Sequence, residues 1–337
     1  MSSDRVDDVL GEANRLAASG NHREAIELLT ATNRAEASSA LEQRLVELRH
    51  EAFRLVEPRG AAQWPPSVDN TTSFQGIAEV TPDQLDGEAI RRGIIGHGAL
   101  RVNGLVSAEC AADLVSGIDA AMEAADGIDR SGSAPPWFHP FASDPDDADT
   151  KYERSFVFHG GGIWTADSPR MLFKVLEALG EAGLIAAIRD YFGEEAAVSL
   201  KKSTLRVVSP TSNSNWHQDG AFLGKGIRSC NLWLALSPCG IDAPTLDVVP
   251  RRFDSLVETG TKGAYFDWSV GDGAVAEVAA PDGADRMMFE AGDALLFDEL
   301  FLHRTGIDPA MTMPRYAIES WFFAATGYPM AQVPLLV

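Results

Sequence analysis

The chain has 337 residues, of which 45% are hydrophobic and 23% charged, so it can bury a sizeable core and is not a disordered polymer. Its formal net charge of −21 argues against a protein that binds nucleic acid or an anionic membrane, because such a surface repels phosphate groups. The three cysteines form no CxxC pair, so neither a disulfide framework nor a cysteine zinc site is indicated.

The first residues, MSSDRVDDVLGEANRL, lack the basic start and apolar run of a signal peptide. No stretch approaches the roughly 20 apolar residues that a membrane span needs. We therefore expect a cytoplasmic protein.

Residues 1–57 are predicted to form a helical segment, because apolar residues recur there at helical spacing. The segment resembles a single tetratricopeptide repeat, with a break at SGNHREA. One such repeat cannot bury its own apolar face. It therefore docks on the main domain, docks on a second copy as a homodimer, or recognises another protein. The resemblance is carried by Ala13, Leu16, Gly20, Ala25 and Leu29.

Residues 58–76 are rich in proline, glycine and small polar residues and are predicted to be a linker. The second domain, 77–337, begins with a strand and turn in IIGHGALRVNGLVS and continues with helices over 108–125 and 168–193. Between these helices, the proline-rich acidic stretch 132–151 is predicted to be a long loop.

From about residue 196, short alternating or apolar runs separated by turns replace the helices. This density of strands predicts a barrel or jelly roll. The fold class is therefore mainly β with added helices: a double-stranded β-helix core preceded by the N-terminal helical segment. The runs are AVSLKKSTLRVV, RSCNLWLALS, TLDVVP, DRMMFEAGDALLFD and RYAIESWFFAA.

The stretch NSNWHQDGAFLG, residues 213–224, places His217 and Asp219 two positions apart. On a strand such residues point to the same face, so their side chains are predicted to converge. The stretch EAGDALLFDELFLHRTG supplies a further histidine, His303, just past a predicted strand. Two histidines and one carboxylate are the protein ligands of non-haem Fe(II) oxygenases, which leave positions open for a cosubstrate and O₂.

Arg315 follows His303 by twelve residues and opens an apolar strand. A guanidinium group at the mouth of an apolar barrel needs an anion, and it can hold a carboxylate through two parallel hydrogen bonds. The far carboxylate of 2-oxoglutarate fits this position, and the hydroxyl of Thr305 could bind the same group. A salt bridge from Arg315 to Glu319 is the structural alternative.

Over roughly residues 85–325 the sequence resembles the phytanoyl-CoA dioxygenase-type Fe(II)/2-oxoglutarate oxygenases. The resemblance is carried by WHQDG, by GDALLFDELFLHRTG and by NLWLALSPCGIDAPTLDVVPRRF. It implies that Fe(II) and 2-oxoglutarate are the cofactors and that His217, Asp219 and His303 bind the iron. It also implies that Trp233, Asn231 and Arg206 lie near 2-oxoglutarate, together with Arg315 and Thr305. For Trp233 and Asn231 the alternative is ordinary barrel packing, and for Arg206 it is a structural role.

The sequence departs from the family pattern at APTLDVV, which lacks the usual glycine, and at PRRF, where the family tends toward Pro-Gly-Ser-His. Both positions lie near the expected pocket rim, so the substrate is not inherited from the resemblance. We expect a small-molecule substrate beneath RSFVFHGGGIWTADSPR and the 132–151 loop, with His159 and Trp164 as candidate contacts.

Hydroxylation is the favoured reaction, because related halogenases lack the carboxylate that Asp219 supplies. Desaturation, epimerisation or cyclisation at the same metal centre stays open. So do two other classes of function: a helical interaction protein with an inactive barrel, and a zinc-bound cupin-like binding protein.

Overall fold

A computed structural model describes residues 3–57, 64–65, 68, 76–128, 132–141, 148–212, 215–224 and 226–337. Most of the predicted linker 58–76 and residues 142–147 of the predicted loop lie outside these ranges. Ten α-helices are found in the described part of the chain: α1 Ser3–Ala18, α2 His22–Ala35, α3 Ser39–Phe53, α4 Gly87–Arg91, α5 Ala108–Asp126, α6 Ala148–His159, α7 Pro169–Glu181, α8 Leu184–Phe192, α9 Gly220–Leu223 and α10 Asp272–Ala279.

Shorter helical turns complete the helical part. A π-helical turn spans Arg92–His97, and 3₁₀ turns span Pro82–Gln84, Thr165–Asp167, Ala325–Gly327 and Met330–Gln332. The strands of the described residues are β1 Ala78–Val80, β2 Ala99–Val102, β3 Gly162–Trp164, β4 Ala196–Ser199, β5 Thr204–Val208, β6 Ser229–Ala235, β7 Thr245–Val248, β8 Asp285–Arg286, β9 Ala294–Phe297, β10 His303–Gly306, β11 Arg315–Ala324 and β12 Pro334–Leu336.

In the part of the chain that the structure describes, two sheets form the core. The larger sheet runs β1-β2-β9-β6-β11-β4-β12, with β5 also paired to β11 and β3 paired to β5; the smaller sheet runs β10-β7-β8. Strand β11 is the centre of the larger sheet, since its first half pairs with β5, its end pairs with β4, and β6 lies along its other side. The predicted fold class, a jelly-roll core with added helices, is confirmed.

The period of two along each strand separates two apolar layers. One face of the larger sheet packs against the helices through residues such as Leu205, Leu232, Leu296 and Ile318. The opposite face packs against Leu246 and Val248 of the smaller sheet and lines the interior of the jelly roll with Trp233, Leu295, Phe297, Trp321 and Phe323.

The N-terminal helices bury a small core of their own and also pack on the rest of the chain. Arg49 Nη1 donates to the carbonyl of Leu336 over 2.7 Å, and His50 Nδ1 lies 2.9 Å from the carbonyl oxygen of Pro334. Glu42 is 1% exposed and pairs with Arg170 on α7. The core within the segment consists of Ala13, Ala17, Ala25, Leu29, Leu41, Leu45 and Leu48.

Three predicted element boundaries differ from the structure. The single helix predicted over 168–193 is two helices, because Gly183 lies between them with a left-handed φ of +76°. The predicted strand in IIGHGALRVNGLVS begins only at Ala99, after the π-helical turn. Residues 148–151 of the predicted loop belong to α6. None of the described helices has the length and apolar character required to cross a bilayer.

Candidate metal centre

His217, Asp219 and His303 lie together inside the jelly roll. Each offers one potential ligand atom, and these atoms all lie within 4.8 Å of one another. The imidazole centroids of the two histidines are 4.4 Å apart, and Asp219 Oδ2 lies 3.7 Å from His303 Nε2. Two imidazoles and one carboxylate in this arrangement could hold a metal ion from one side and leave its other side open.

The backbone brings the two histidines together. The amide of His217 donates to the carbonyl of His303 over 3.0 Å, and the amide of His303 donates to the carbonyl of His217 over 3.1 Å. This reciprocal pair forms an isolated antiparallel bridge at the edge of β10. Residues that exchange both hydrogen bonds lie directly opposite each other, so their side chains share a face.

Asp219 is directed to the same point by a turn rather than by the predicted strand. It does not lie on a strand: it has helical backbone angles, φ −62° and ψ −24°, and precedes the short helix α9. The expectation that strand geometry directs His217 and Asp219 to one face is therefore wrong. A helical turn after the bridge, closed by the Gly220 amide donating 2.8 Å to the carbonyl of Glu299, directs the carboxylate inward.

Backbone carbonyls set the orientation of both imidazoles. His217 Nδ1 lies 2.9 Å from the Asn215 carbonyl oxygen, and His303 Nδ1 lies 3.0 Å from that of Phe301. A carbonyl oxygen only accepts, so each Nδ1 carries the proton and each Nε2 keeps its lone pair. Burial, and then the neighbouring His217, lowers the pKa of His303 to about 4, so this imidazole is neutral near pH 7. Metal-ligating histidines have this arrangement.

Gln218, between His217 and Asp219, was not identified from the sequence. Its side chain is 1% exposed. Nε2 donates to the carbonyls of Leu300 (2.6 Å) and Ser255 (3.3 Å), and Oε1 accepts from the amide of Val257 (2.6 Å). Gln218 thus ties the turn that carries two candidate ligands to the segment that leads to the third. Its partners are remote in sequence, so no local pattern marks it.

Arg315 lies inside the jelly roll with 1% exposure. Its Nη1 donates to the carbonyl of Thr245 over 3.2 Å, its guanidinium lies 5.0 Å from the centre of the Trp233 ring, and its Nε has no hydrogen-bond partner. Burial lowers the pKa of Arg315 to about 10, and the group stays charged near pH 7. Among the described residues its guanidinium donates to Thr245 rather than to Glu319, although the charge of Glu319 partly opposes the effect of burial on the Arg315 pKa.

Three of the other residues proposed to lie near 2-oxoglutarate share the interior face of the larger sheet with Arg315, and the fourth, Thr305, lies on the smaller sheet. Asn231, Trp233 and Arg206 pair in register with positions of β11 that lie on that face. Asn231 Oδ1, Trp233 Nε1 and Arg206 Nε are buried without a hydrogen-bond partner in the structure. Thr305 follows His303 by two residues on β10, pairs with Leu246 and is half-buried.

Glu319 adds a carboxylate to this face, and its Oε2 accepts from Thr204 Oγ1 over 3.3 Å. Burial alone would raise the pKa of Glu319, but Arg206 and Arg315 together lower it below its ordinary value. Apart from the candidate metal ligands, this face thus holds the guanidinium groups of Arg206 and Arg315 near the ionised carboxylate of Glu319. This balance favours a further anion.

The two candidate substrate contacts differ in position. His159 is exposed at the end of α6, where its Nδ1 lies 2.7 Å from the Ser155 carbonyl oxygen. Trp164 is fully buried, with the guanidinium of Arg154 4.5 Å from its ring centre and its Nε1 without a hydrogen-bond partner. In the structure, His159 and Trp164 do not form one cluster with the three candidate ligands.

An acidic turn precedes His303. Asp298 pairs with Arg252, and the next residue, Glu299, accepts a 2.5 Å hydrogen bond from Ser229 Oγ. Burial, and then the charge of Asp298, raises the pKa of Glu299 to about 7.

Several solved structures are similar to this chain. EctD from S. alaskensis, with 2-oxoglutarate and 5-hydroxyectoine, is 18% identical and aligns over 79% of this chain and 88% of its own, with a TM-score of 0.49. EvdO2 from Micromonospora carbonacea var. aurantiaca is 14% identical over 78% and 96% of the two chains, with a TM-score of 0.48. AviO1 from Streptomyces viridochromogenes Tue57 is 18% identical over 71% and 96%, with a TM-score of 0.43.

No curated protein sequence matches the chain significantly. The family profile described as phytanoyl-CoA dioxygenase (PhyH) matches residues 96–307, which is more than half of the chain and includes all three candidate ligands. The chain therefore belongs to the phytanoyl-CoA dioxygenase family and is a non-haem dioxygenase whose cofactors are Fe(II) and 2-oxoglutarate.

Proposed function

We propose that this chain hydroxylates a small-molecule substrate, with Fe(II) bound by His217, Asp219 and His303. The observation that carries the proposal is the convergence of these three ligand atoms within 4.8 Å, with both Nδ1 protons directed to backbone carbonyls. The two Nε2 atoms and the carboxylate are then the free donors. This set of nitrogen and oxygen ligands suits ferrous iron.

We propose Arg315 as the residue that binds the far carboxylate of 2-oxoglutarate, with Thr305 beside it and Trp233, Asn231 and Arg206 around it. A buried polar atom without a partner costs about 1–3 kcal/mol, and four of these residues each bury one. A dicarboxylate that accepts hydrogen bonds from the guanidinium groups would remove much of this cost. The metal and cosubstrate supply the oxidising chemistry with O₂ when bound, as 2-oxoglutarate is converted to succinate and CO₂.

The protein's own part is to position the reactants and exclude water. The interior beside the candidate ligands is apolar, since the Phe297 ring lies 4.8 Å from that of His303 and Trp321 packs against Phe297. Halogenation would require a halide ion in the place of the Asp219 carboxylate. Because this chain has the carboxylate, hydroxylation is favoured. The free thiols of Cys110, Cys230 and Cys239 support a reducing, cytoplasmic setting.

Anaerobic addition of Fe(II) and 2-oxoglutarate tests the proposal. We expect a weak visible charge-transfer band that depends on both additions. His217→Ala or Asp219→Ala should abolish the band, while His139→Ala, at a histidine outside the site, should retain it. Succinate release in air should then report on candidate substrates, and mass spectrometry should show a product heavier by one oxygen atom.

Arg315→Ala separates the two parts of the proposal. Because Arg315 touches none of the candidate iron ligands, this variant should bind Fe(II) as the wild type does. It should need at least about tenfold more 2-oxoglutarate to develop the band, as expected for loss of a charge-assisted pair. Equal 2-oxoglutarate affinity in the two proteins would refute the role given to Arg315.

A further inference from the structure

A row of aromatic side chains leads from the candidate metal centre to the surface. The Trp268 ring stands perpendicular to that of His217 at 6.0 Å, Phe266 stacks on Trp268 at 4.9 Å, and Tyr265 follows at 4.6 Å. Phe222 closes the row on the other side, 6.3 Å from His217 and 6.0 Å from Trp268. We call Phe222, Tyr265, Phe266 and Trp268 the aromatic row.

The row is open to solvent at its outer end. There Tyr265 is 71% exposed and Phe266 is 40% exposed, and Phe222, at the inner end, is also 40% exposed. Adjacent exposed aromatic rings mark a surface that binds an apolar partner. Because the inner end of the row contacts His217, the partner that fits is the substrate of this metal centre.

The loop that carries three of the four rings is held in place by hydrogen bonds. Ser269 Oγ accepts from the amide of Phe266 over 2.9 Å and lies 2.9 Å from its carbonyl oxygen. Val270 donates to the carbonyl of Trp216, next to His217, over 2.8 Å. These contacts fix the rings relative to the ligands, so the row is formed before a substrate binds.

A cation lies against the same surface. The Nζ atom of Lys202 is 4.0 Å from the centre of the Phe222 ring. Burial lowers the pKa of Lys202, and the fields of Asp219, Glu153 and Glu319 oppose this effect. Lys202 forms no ion pair with any of the described residues.

The three carboxylates near Lys202 each have another partner. Glu153 pairs with Lys201 over 3.3 Å, Glu319 is stabilised by Arg206 and Arg315, and Asp219 is the proposed iron ligand. Lys202, at the inner end of the aromatic row, is thus a cation without an ion-pair partner among the described residues. This half-buried ammonium group is therefore available to an anion from outside the chain.

We infer that the substrate is an anion with a flat, apolar body, which stacks on the aromatic row and places its negative group on Lys202. This inference names the substrate class of the proposed hydroxylase and rests on that function. The body would lie against Phe222 and Trp268, the two rings of the row that lie next to His217. The rings farther out would hold its distal end.

Three small probes test the inference on the anaerobic protein saturated with Fe(II) and 2-oxoglutarate. 2-Naphthoate carries both features, 2-naphthol lacks the charge, and cyclohexanecarboxylate lacks the flat ring. Calorimetry should show 2-naphthoate binding at least about tenfold more tightly than either of the others, the size of one charge-assisted contact. Lys202→Met should remove the preference for naphthoate over naphthol, whereas Lys174→Met, at a lysine that pairs with Asp113 on α5, should retain it.

Trp268→Ala should weaken the binding of both naphthyl probes. If that variant does not fold, Phe266→Ala removes a more exposed ring and should weaken the binding of both naphthyl probes to a smaller extent. Equal affinities of naphthoate and naphthol for the wild type, or affinities unchanged in the ring variants, would overturn the inference. Each of these results can occur with the charge-transfer band intact. Loss of the band itself would instead overturn the proposed function, and this inference with it.

Discussion

Gln218 is the residue whose replacement best separates positioning of the ligands from ligation itself. Gln218→Leu removes three buried hydrogen bonds at similar volume and leaves the Val257 amide without its acceptor. We expect the free energy of unfolding to fall by about 1–3 kcal/mol, measured in urea. Fe(II) affinity should fall about 10-fold or more, as for groups that orient metal ligands.

Gln43→Leu, at a half-buried residue of α3, is the matched control and should leave Fe(II) affinity unchanged. If Gln218→Leu lost stability but bound Fe(II) as tightly as the wild type, Gln218 would support the fold without positioning the ligands.

Glu299 makes stability depend on pH. Its pKa rises from an ordinary 4.5 to about 7 on folding, so the folded protein holds this proton more tightly than the unfolded chain does. The contribution of Glu299 to stability is therefore present at low pH and is lost as pH rises toward about 7. Glu299→Gln cannot lose a proton, so its stability relative to the wild type should increase from about pH 5 to about pH 7 and then level off.

Urea unfolding at several pH values measures this difference, with Glu290→Gln as the control at an exposed carboxyl group. A difference that stayed constant with pH would mean that Glu299 is ionised equally in the folded and unfolded states.

Residue types and spacing were enough to single out His217, Asp219, His303 and Arg315, because few side chains bind iron or a carboxylate. The strand argument for Asp219 was nevertheless wrong, since the turn that orients it is closed by a hydrogen bond to Glu299, eighty residues away. The aromatic row was missed for a related reason. Its rings lie in an irregular loop, where no periodicity indicates which side chains meet.

At the scale of elements, the contact of α3 with α7 depends on a buried ion pair. Glu42 is 1% exposed and pairs with Arg170. Arg170→Met leaves an uncompensated buried carboxylate and should lower the free energy of unfolding by about 3–5 kcal/mol. The double variant Glu42→Leu/Arg170→Met removes both charges and should recover most of that loss, as urea unfolding can show.

If the double variant were as unstable as Arg170→Met alone, the pair would contribute through packing rather than charge. Arg34→Met, whose partner Glu177 is half exposed, serves as the control and should cost less than about 1 kcal/mol.

Elements with strong periodicity were predicted well, while their ends and interruptions were not. Helix α5 matches its predicted run to within one residue, and strands β6, β9 and β11 lie within theirs, because burial on one face or on both imposes a regular apolar pattern. Helix α10 and strands β1, β3, β10 and β12 were missed, since segments of three to eight residues carry too few periods to be distinguished from loops. The division between α7 and α8 depends on the conformation of one glycine.

At the scale of the whole molecule, removal of residues 1–57 tests the role of the N-terminal helices. Deletion exposes the surface of α7 and β12 that α3 covers. It also removes Arg49 and His50, whose side chains form hydrogen bonds with the carbonyl groups of Leu336 and Pro334. We expect the truncated protein to melt at a lower temperature but to retain the charge-transfer band, because no candidate ligand lies in the segment. Light scattering before and after deletion measures whether the segment also joins two copies.

Complete loss of Fe(II) and 2-oxoglutarate binding in a folded truncated chain would contradict this division into a docking segment and a catalytic domain. A change from dimer to monomer on deletion would instead support the predicted homodimer.

The connection between β7 and β8 spans residues 249–284 and carries Tyr265, Phe266 and Trp268, yet it supplies none of the candidate ligands. It leaves and re-enters the smaller sheet at adjacent strands and touches the ligand segment through the bridge between Val270 and Trp216. The stretch between Val257, which holds Gln218, and Val270, which bridges to Trp216, is consequently an exchangeable module: another loop grafted between these two residues could retarget the catalyst to a different compound, while the contacts that hold the candidate iron ligands stayed in place.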